Sequence, residues 1–328
     1  AERREFKYLD QVDYQSPVNF DPGGQIELYM GYYDRGGMTL MMRGTITGQT
    51  PDFPSGGQPT IQISALNNLY RLHFKQEVDS YKEKTDSQIA RAILDNINSA
   101  HSGLNLMLAP HPAHLIEFPN EYIVINNEYP IIFLMQRARH NGYAIWLEET
   151  KKGNQSQSIL HFEPADLRNK AAYELVWGQS LISFKPTLKT KGQVAKITVR
   201  GWNPETKKQV TGEATWDDLD FKGLPSTQEM SAVDSALAGS EEIVADEPIK
   251  TEAQAKQKAK DHLTRLAKDL ISGSGQTMGL PELRAGRPVY IRGLGKRFSG
   301  RYMITSTTHT IDGNGYLTSF EARMEEPK

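Results

Sequence analysis

The chain has 328 residues, 38 Lys and Arg against 40 Asp and Glu, a formal charge of −2 and no cysteine. That charge argues against a general nucleic-acid binder, which needs a basic surplus. The missing cysteines exclude disulfides, thiolate metal sites and cysteine nucleophiles together. No apolar run approaches the roughly 20 residues of a membrane helix, and the charged opening AERREFK is no signal peptide.

In chain order, residues 1–73 read as β. A strand is expected near Tyr8 to Val12, followed by the turn Asp21-Pro22-Gly23-Gly24. Ile26, Leu28 and Met30 alternate with Gln25, Glu27 and Tyr29, the period of a half-buried strand. Gly36-Gly37 turns the chain, Met38 to Ile46 returns it, and Thr60 to Ala65 alternates again. Turns every 10–15 residues predict a small barrel or sandwich.

Residues 74–180 read as an α/β insert. Asp86 is the expected cap of a helix with Ile89, Ala90, Ile93, Leu94 and Ile97 on one face. A second helix opens on Pro130 and ends at Asn141-Gly142. Strands are expected at Tyr143 to Glu148 and Ser158 to Phe162.

Within 181–216, Ala195, Ile197 and Val199 alternate with Lys196, Thr198 and Arg200, and Gly201-Trp202-Asn203-Pro204 turns the chain. This hairpin, with Trp202 packed at its corner, is expected to open a second barrel completed by residues 284–328. Between them lie residues 217–283. Residues 224–249 hold six acidic residues and no Lys, Arg, His or aromatic, which predicts a mobile linker. Thr251 then caps a helix carrying Ala255, Ala259, Leu263, Leu266 and Leu270, expected to end at Gly273. Strands return at Val289 to Ile291, Tyr302 to Thr310 and Tyr316 to Met324. The fold class expected is therefore α+β, mainly β, with two small antiparallel barrels.

An internal repeat is visible. Residues 22–28, PGGQIEL, resemble 285–291, AGRPVYI, with Gly23 facing Gly286; Gly44 to Thr47 resembles Gly300 to Thr305, and Thr60 to Ala65 resembles Thr318 to Ala322. On these residues alone, chance likeness of two hairpins explains the match equally well.

No catalytic constellation emerges. His111 and His114 flank Pro112, which disfavours the regular helix that would aim both at one metal, and no third ligand follows. Neither H-E-x-x-H, G-x-S-x-G nor a phosphate-binding glycine loop occurs. The expectation is no catalytic residue, no cofactor and no metal. Trp146, Trp177, Trp202 and Trp216 are expected as core and corner residues rather than a ligand platform.

The order of motifs resembles the late control gene D family. The runs that carry it are FDPGGQIELYMGYY, RGTITG, FPSGGQPTIQISAL, TDSQIARAIL, FLMQRARHNGYAIW, SFKPTLKTKGQVAKITVRGWNPETKKQVTG and FSGRYMITSTTHTIDGNGYLTSFEARM. Its most specific parts are Arg137 to Tyr143 and Val199 to Pro204. Members are central hubs of contractile phage tails and extracellular injection particles, and the same domain forms the N-terminal half of the secretion spike protein VgrG. Where relatives carry Gln/Asn-Thr-Asp before the second helix, this chain has Ile125 to Pro130. The resemblance implies a homotrimer presenting six similar barrels to a sixfold tail tube. It also implies an inner tube protein, a central spike and wedge or cargo proteins as partners, without nucleic-acid binding or membrane insertion. Assembly would take place in a bacterial cytoplasm, within a virion or extracellular particle. The alternatives are a tail-associated cell-wall hydrolase or a glycan-binding module.

Overall fold

A computed structural model describes residues 20–32, 37–101, 104–152, 155–164, 173–203, 205–219, 233, 235–245, 249 and 251–327. The expected strand at Tyr8 to Val12 lies outside them. The first three strands are β1 (Gln25–Tyr32), β2 (Gly37–Asp52) and β3 (Thr60–Asn67), an antiparallel meander ordered β1-β2-β3. Ahead of β1, Gly24 N–H donates to Asp21 O and closes the predicted turn, with Gly23 at φ +96°.

The middle unit holds β4 (Glu77–Lys84), α1 (Asp86–Ala100), β5 (Leu106–Leu108), β6 (Asn120–Glu128), α2 (Pro130–His140), β7 (Ala144–Lys152) and β8 (Gln155–Glu163). Strands β4 and β6 pair antiparallel, while β7 pairs antiparallel and β5 parallel with β8. The predicted stripe of α1, Ile89, Ala90, Ile93, Leu94 and Ile97, is buried together with Leu72, Ile125, Leu134, Leu160 and Phe162. The cap is one residue earlier than expected. Thr85 accepts from Gln88 N, and Gln88 returns a bond to Thr85 N–H. Asp86 is thereby released to face inward. It takes Arg137 Nε at 2.8 Å and Nη2 at 2.9 Å, together with Asn120 Nδ2 and Asn141 Nδ2. The pair ties the N-terminus of α1 to the C-terminus of α2, each charge opposite in sign to its helix end.

The rest comprises β9 (Glu174–Val176), β10 (Leu181–Leu188), β11 (Lys196–Asn203), β12 (Lys208–Thr215), β13 (Glu241–Val244), α3 (Glu252–Lys268), β14 (Ile271–Met278), β15 (Pro288–Arg292), β16 (Gly300–Asp312) and β17 (Gly315–Pro327). One six-stranded sheet runs β10-β14-β17-β16-β15-β9 and another of three strands runs β12-β11-β13. The protein is thus mainly β with a few helices.

Several expectations change here. The β11–β12 hairpin forms as read, but it pairs with β13 instead of joining the terminal strands, and α3 covers it. Ala255, Ala259, Leu263 and Ala267 of α3 are buried against Ile197, Val199, Val210 and Ala214. Gly212 permits the approach, since a Cβ there would lie 2.2 Å from Lys256 N. Strand β10 alone represents residues 181–216 in the larger sheet. Gly273 does not end the helix; it lies within β14, where the Phe184 ring sits 2.5 Å from the place its Cβ would occupy. Of residues 224–249, part lies outside the described residues, but β13 pairs in parallel with β11 and Val233, Leu237 and Ile249 are buried. Aliphatic side chains supply there the burial that the missing aromatics do not.

The repeat is reproduced bond for bond. Gly23 N–H donates to Ile46 O at 2.8 Å and Ile46 N–H to Gly24 O; Gly286 N–H donates to Ile304 O at 2.9 Å and Ile304 N–H to Arg287 O. Both glycines have positive φ. Ile46 pairs with Ala65 and Ile304 with Ala322, and each ladder then skips one residue, Thr47 or Thr305, before resuming. A bulge at one place in two ladders, behind the same glycine turn, gives the alignment a physical basis. The hydrogen bonds correct one detail: Gly44 corresponds to Tyr302, not Gly300.

Two stability results are expected. Gly286→Ala puts a Cβ 2.5 Å from the Trp146 ring, whereas Gly23 has open space. The first should lose about 1–3 kcal/mol from overpacking beyond the backbone cost, the second only roughly 1–2 kcal/mol for the left-handed conformation. Urea unfolding should rank them so, and equal losses would contradict the packing. Asp86→Ala strands the half-buried Arg137 guanidinium and should cost about 3–5 kcal/mol. In a double-mutant cycle with Arg137→Met, additive losses would show that the ion pair does not tie the two helices.

Candidate functional site

The histidine pair that sequence reasoning examined for metal binding serves backbone bonding instead. His111 Nδ1 accepts from Ala113 N at 3.1 Å, and His114 Nε2 lies 2.7 Å from Phe162 O. Among the described residues no group of three or more His, Asp and Glu is arranged to hold a metal ion.

The tryptophans divide. Trp216 donates to Val194 O at 2.8 Å and packs between two cores. Trp146 stacks on His161, ring centroids 4.5 Å apart and planes within 4°. Trp177 and Trp202 are 60% and 58% exposed, so Trp202 does not pack at the corner as expected. Asn203 closes that corner in its place, its Oδ1 accepting from Glu205 N and Thr206 N. Alternation marked the faces of β11 but not how near its end the covering helix reaches.

Three surfaces remain. The first is the outward face of the larger sheet, where two shallow hollows of about 470 and 450 Å³ adjoin at Lys185, Ser274 and Glu321. Serine and threonine make up about half of the rest, a surface for polar contact rather than for enclosing a small molecule. A second surface is the outer edge of β3, TIQISALN, which carries neither charge nor proline. Its counterpart β17 is bordered by β14, whereas β3 ends its sheet among the described residues. Uncharged edges without proline are those suited to further pairing. The third comprises Leu115, Ile116, Phe118 and Tyr122, each at least 65% exposed.

Between the repeats lies a cluster that sequence reasoning missed. Glu148 and Glu149, adjacent on β7, point to opposite sides. Glu148 meets His161 Nε2 at 3.1 Å and Arg287 Nη2 at 2.6 Å, while Glu163 meets His161 Nδ1 at 3.0 Å. The bond to His161, then the charge of Arg287, hold the Glu148 carboxyl down to about 2 against burial. Burial opposes charge on His161 too, but bonds to Glu148 and Glu163 outweigh it and raise the imidazole to about 9. Glu149 accepts from Ser158 Oγ at 2.8 and 3.0 Å, and Ser158 accepts from Asn68 Nδ2 at 2.8 Å. Burial pushes Glu149 up to about 7, only partly offset by the Ser158 bond and by Arg43 and Arg284. The signal in the sequence was a Glu-Glu pair in a strand facing a histidine across a hairpin. Carboxylates are common enough that this pair did not stand out.

The fold recurs among solved structures. The prophage MuSo2 43 kDa tail protein from Shewanella oneidensis shares 16% identity over 93% of this chain and 85% of its own, with a TM-score of 0.63. A tail protein from Neisseria meningitidis MC58 shares 12% over 87% and 81%, with a TM-score of 0.64. The E. coli c3393 protein, a type VI secretion component described as similar to T4 tail proteins gp27 and gp5, shares 12% over 92% of this chain and 64% of its own, at 0.54. No curated protein matches the sequence. A family model described as the Alg8 N-terminal domain matches residues 11–313, and on that match the chain belongs to the Alg8 N-terminal domain family.

Proposed function

We propose that this chain is a non-enzymatic structural subunit of a phage-type tail or contractile injection particle, a trimeric hub joining a sixfold tube to a threefold spike. The observation that carries the reading is the internal repeat, with the same glycine turn, ladder register and bulge in β1–β3 and β15–β17. A threefold object meets a sixfold one when each of its chains presents two similar surfaces, and a duplicated sheet provides them. Support comes also from the fold shared with tail proteins and a secretion component.

In this reading two barrels are built around the two repeats, and the first of each chain meets the second of the next. The edge of β3 and the hydroxyl-lined face of the larger sheet are the surfaces offered. Partners are further copies of the chain, an inner tube protein, a central spike, and wedge or cargo proteins. The particle assembles in a bacterial cytoplasm and the chain ends in its baseplate.

Mass photometry and electron microscopy of the purified chain test this. Trimeric rings with approximate sixfold symmetry on one face are expected. A chain that stays monomeric at high concentration, or rings without that symmetry, would overturn the hub. A charge introduced into β3, such as Ile61→Glu, 39% exposed, should shift the population to monomers while leaving the melting temperature within a few degrees.

A further inference from the structure

The middle unit lies between the two repeats in sequence, ahead of β9 to β14, and its strand β7 touches both. On one side, Glu148, His161 and Trp146 receive the turn that opens the second repeat. The Trp146 ring fills the space a Cβ of Gly286 would need, and Arg287 bonds Glu148 while also meeting Glu282 at 3.3 Å. On the other side, Glu149 reaches the first repeat through Ser158 and Asn68. Arg43 of β2 braces the same seam, donating to Ser156 O at 3.2 Å, and Ser156 donates to Glu27 of β1 at 2.7 Å.

We propose that β7 is a proton-operated coupler between the repeats, closed while His161 and Glu149 are both protonated and loosened stepwise as each loses its proton. The geometry dictates the first half. Each ring nitrogen of His161 faces a carboxylate, so both bonds require the imidazolium; the neutral ring turns a lone pair towards one of them. For the second half, Glu149 is 8% exposed and none of its described contacts is a close ion pair. Arg43, Arg284 and Glu27 are the charges that act on it, two favouring its ionisation and one opposing. Ionised, it demands solvation that the seam must open to provide.

The signs agree. His161 is raised from 6.5 to about 9, so its contribution is complete below 6.5 and lost as pH climbs through 9. Glu149 is raised from 4.5 to about 7, so a penalty grows from 4.5 upwards and is complete above 7. Glu148, held near 2, stays charged throughout. Rising pH therefore loosens both sides of β7. The coupler is independent of the hub reading, because it operates within one chain.

The absence of cysteine permits clean labelling. Gln62→Cys and Ser319→Cys place spin labels at corresponding exposed positions of the two repeats. The distance distribution should be narrow at pH 5 and broad at pH 9.5. Glu149→Gln should remove the broadening between pH 5 and 7, and His161→Gln should give a broad distribution already at pH 6. Should either variant fail to fold, the chain with His161 and Glu149 intact still decides through Trp146 fluorescence, obtained as the difference from Trp146→Phe. A stacked imidazolium quenches indole, so emission should rise with a midpoint near 9. Hydrogen exchange at Gly286 N–H, corrected for base catalysis, should quicken at least roughly tenfold across that step, as one pKa unit of coupling requires. A midpoint at an ordinary histidine value, or one unchanged distance distribution from pH 5 to 9.5, overturns the proposal.

Discussion

Strand register is the constraint on which the molecule depends. Slipping a ladder by one residue turns each inward side chain out, and Ile46 and Ile304, at 2% and 1% exposure, leave no room for that. Each is pinned from both directions. Its carbonyl takes the N–H of a positive-φ glycine, its own N–H reaches the carbonyl of the next residue, and a bulge follows at once. A glycine is needed because the turn must enter a conformation other residues adopt only at a cost. The bulge then bends the strand and increases its twist, so the same three features that set register also set curvature. Two sheets built this way can differ in almost every side chain and still present one backbone shape.

That shape was partly legible in the residues. Alternation located β1, β3 and β11, apolar spacing found α1 and α3, and Pro130 with Asn141-Gly142 bounded α2. What alternation does not carry is the identity of the neighbour. Lys196–Asn203 has the pattern of any half-buried strand, and only the packing of Ala255, Ala259 and Leu263 above it decides that α3, rather than the terminal strands, is its cover. Gly273 shows the same limit from another side. A glycine after a helical stripe reads as a stop, yet this one is kept small by the Phe184 ring over a strand. Val233, Leu237 and Ile249 show that composition averaged over a segment hides the few positions that bury.

The polar network was the least legible part. Asp86 looked like a cap because capping residues and buried ion-pair residues are the same amino acids, and only Thr85 in the cap position tells them apart. Glu148 and Glu149 look alike in sequence but meet opposite fates. Consecutive strand residues point to opposite faces, so one carboxyl gains a histidine and an arginine at hydrogen-bond distance and the other, buried, only a serine among the described residues. Their ionisation separates in opposite directions for that reason alone.

The middle unit is best understood through these contacts. Among the described residues, Arg284 donates directly across the repeats to Leu40 O at 2.6 Å and approaches Met41 Sδ, and Tyr32 lies against Tyr316 with centroids 5.7 Å apart. Further restraint runs through β7 and β8, by way of Arg43, Ser156 and Lys151 to the first repeat and of Trp146, Glu148 and His161 to the second. Two sheets of similar shape need a fixed angle between them if both are to meet similar neighbours. A hairpin gripped on both faces fixes such an angle with less apolar surface than a direct sheet-to-sheet interface would bury. Polar grips also depend on protonation in a way that apolar ones do not, so the element that sets the angle is the one through which pH can change it.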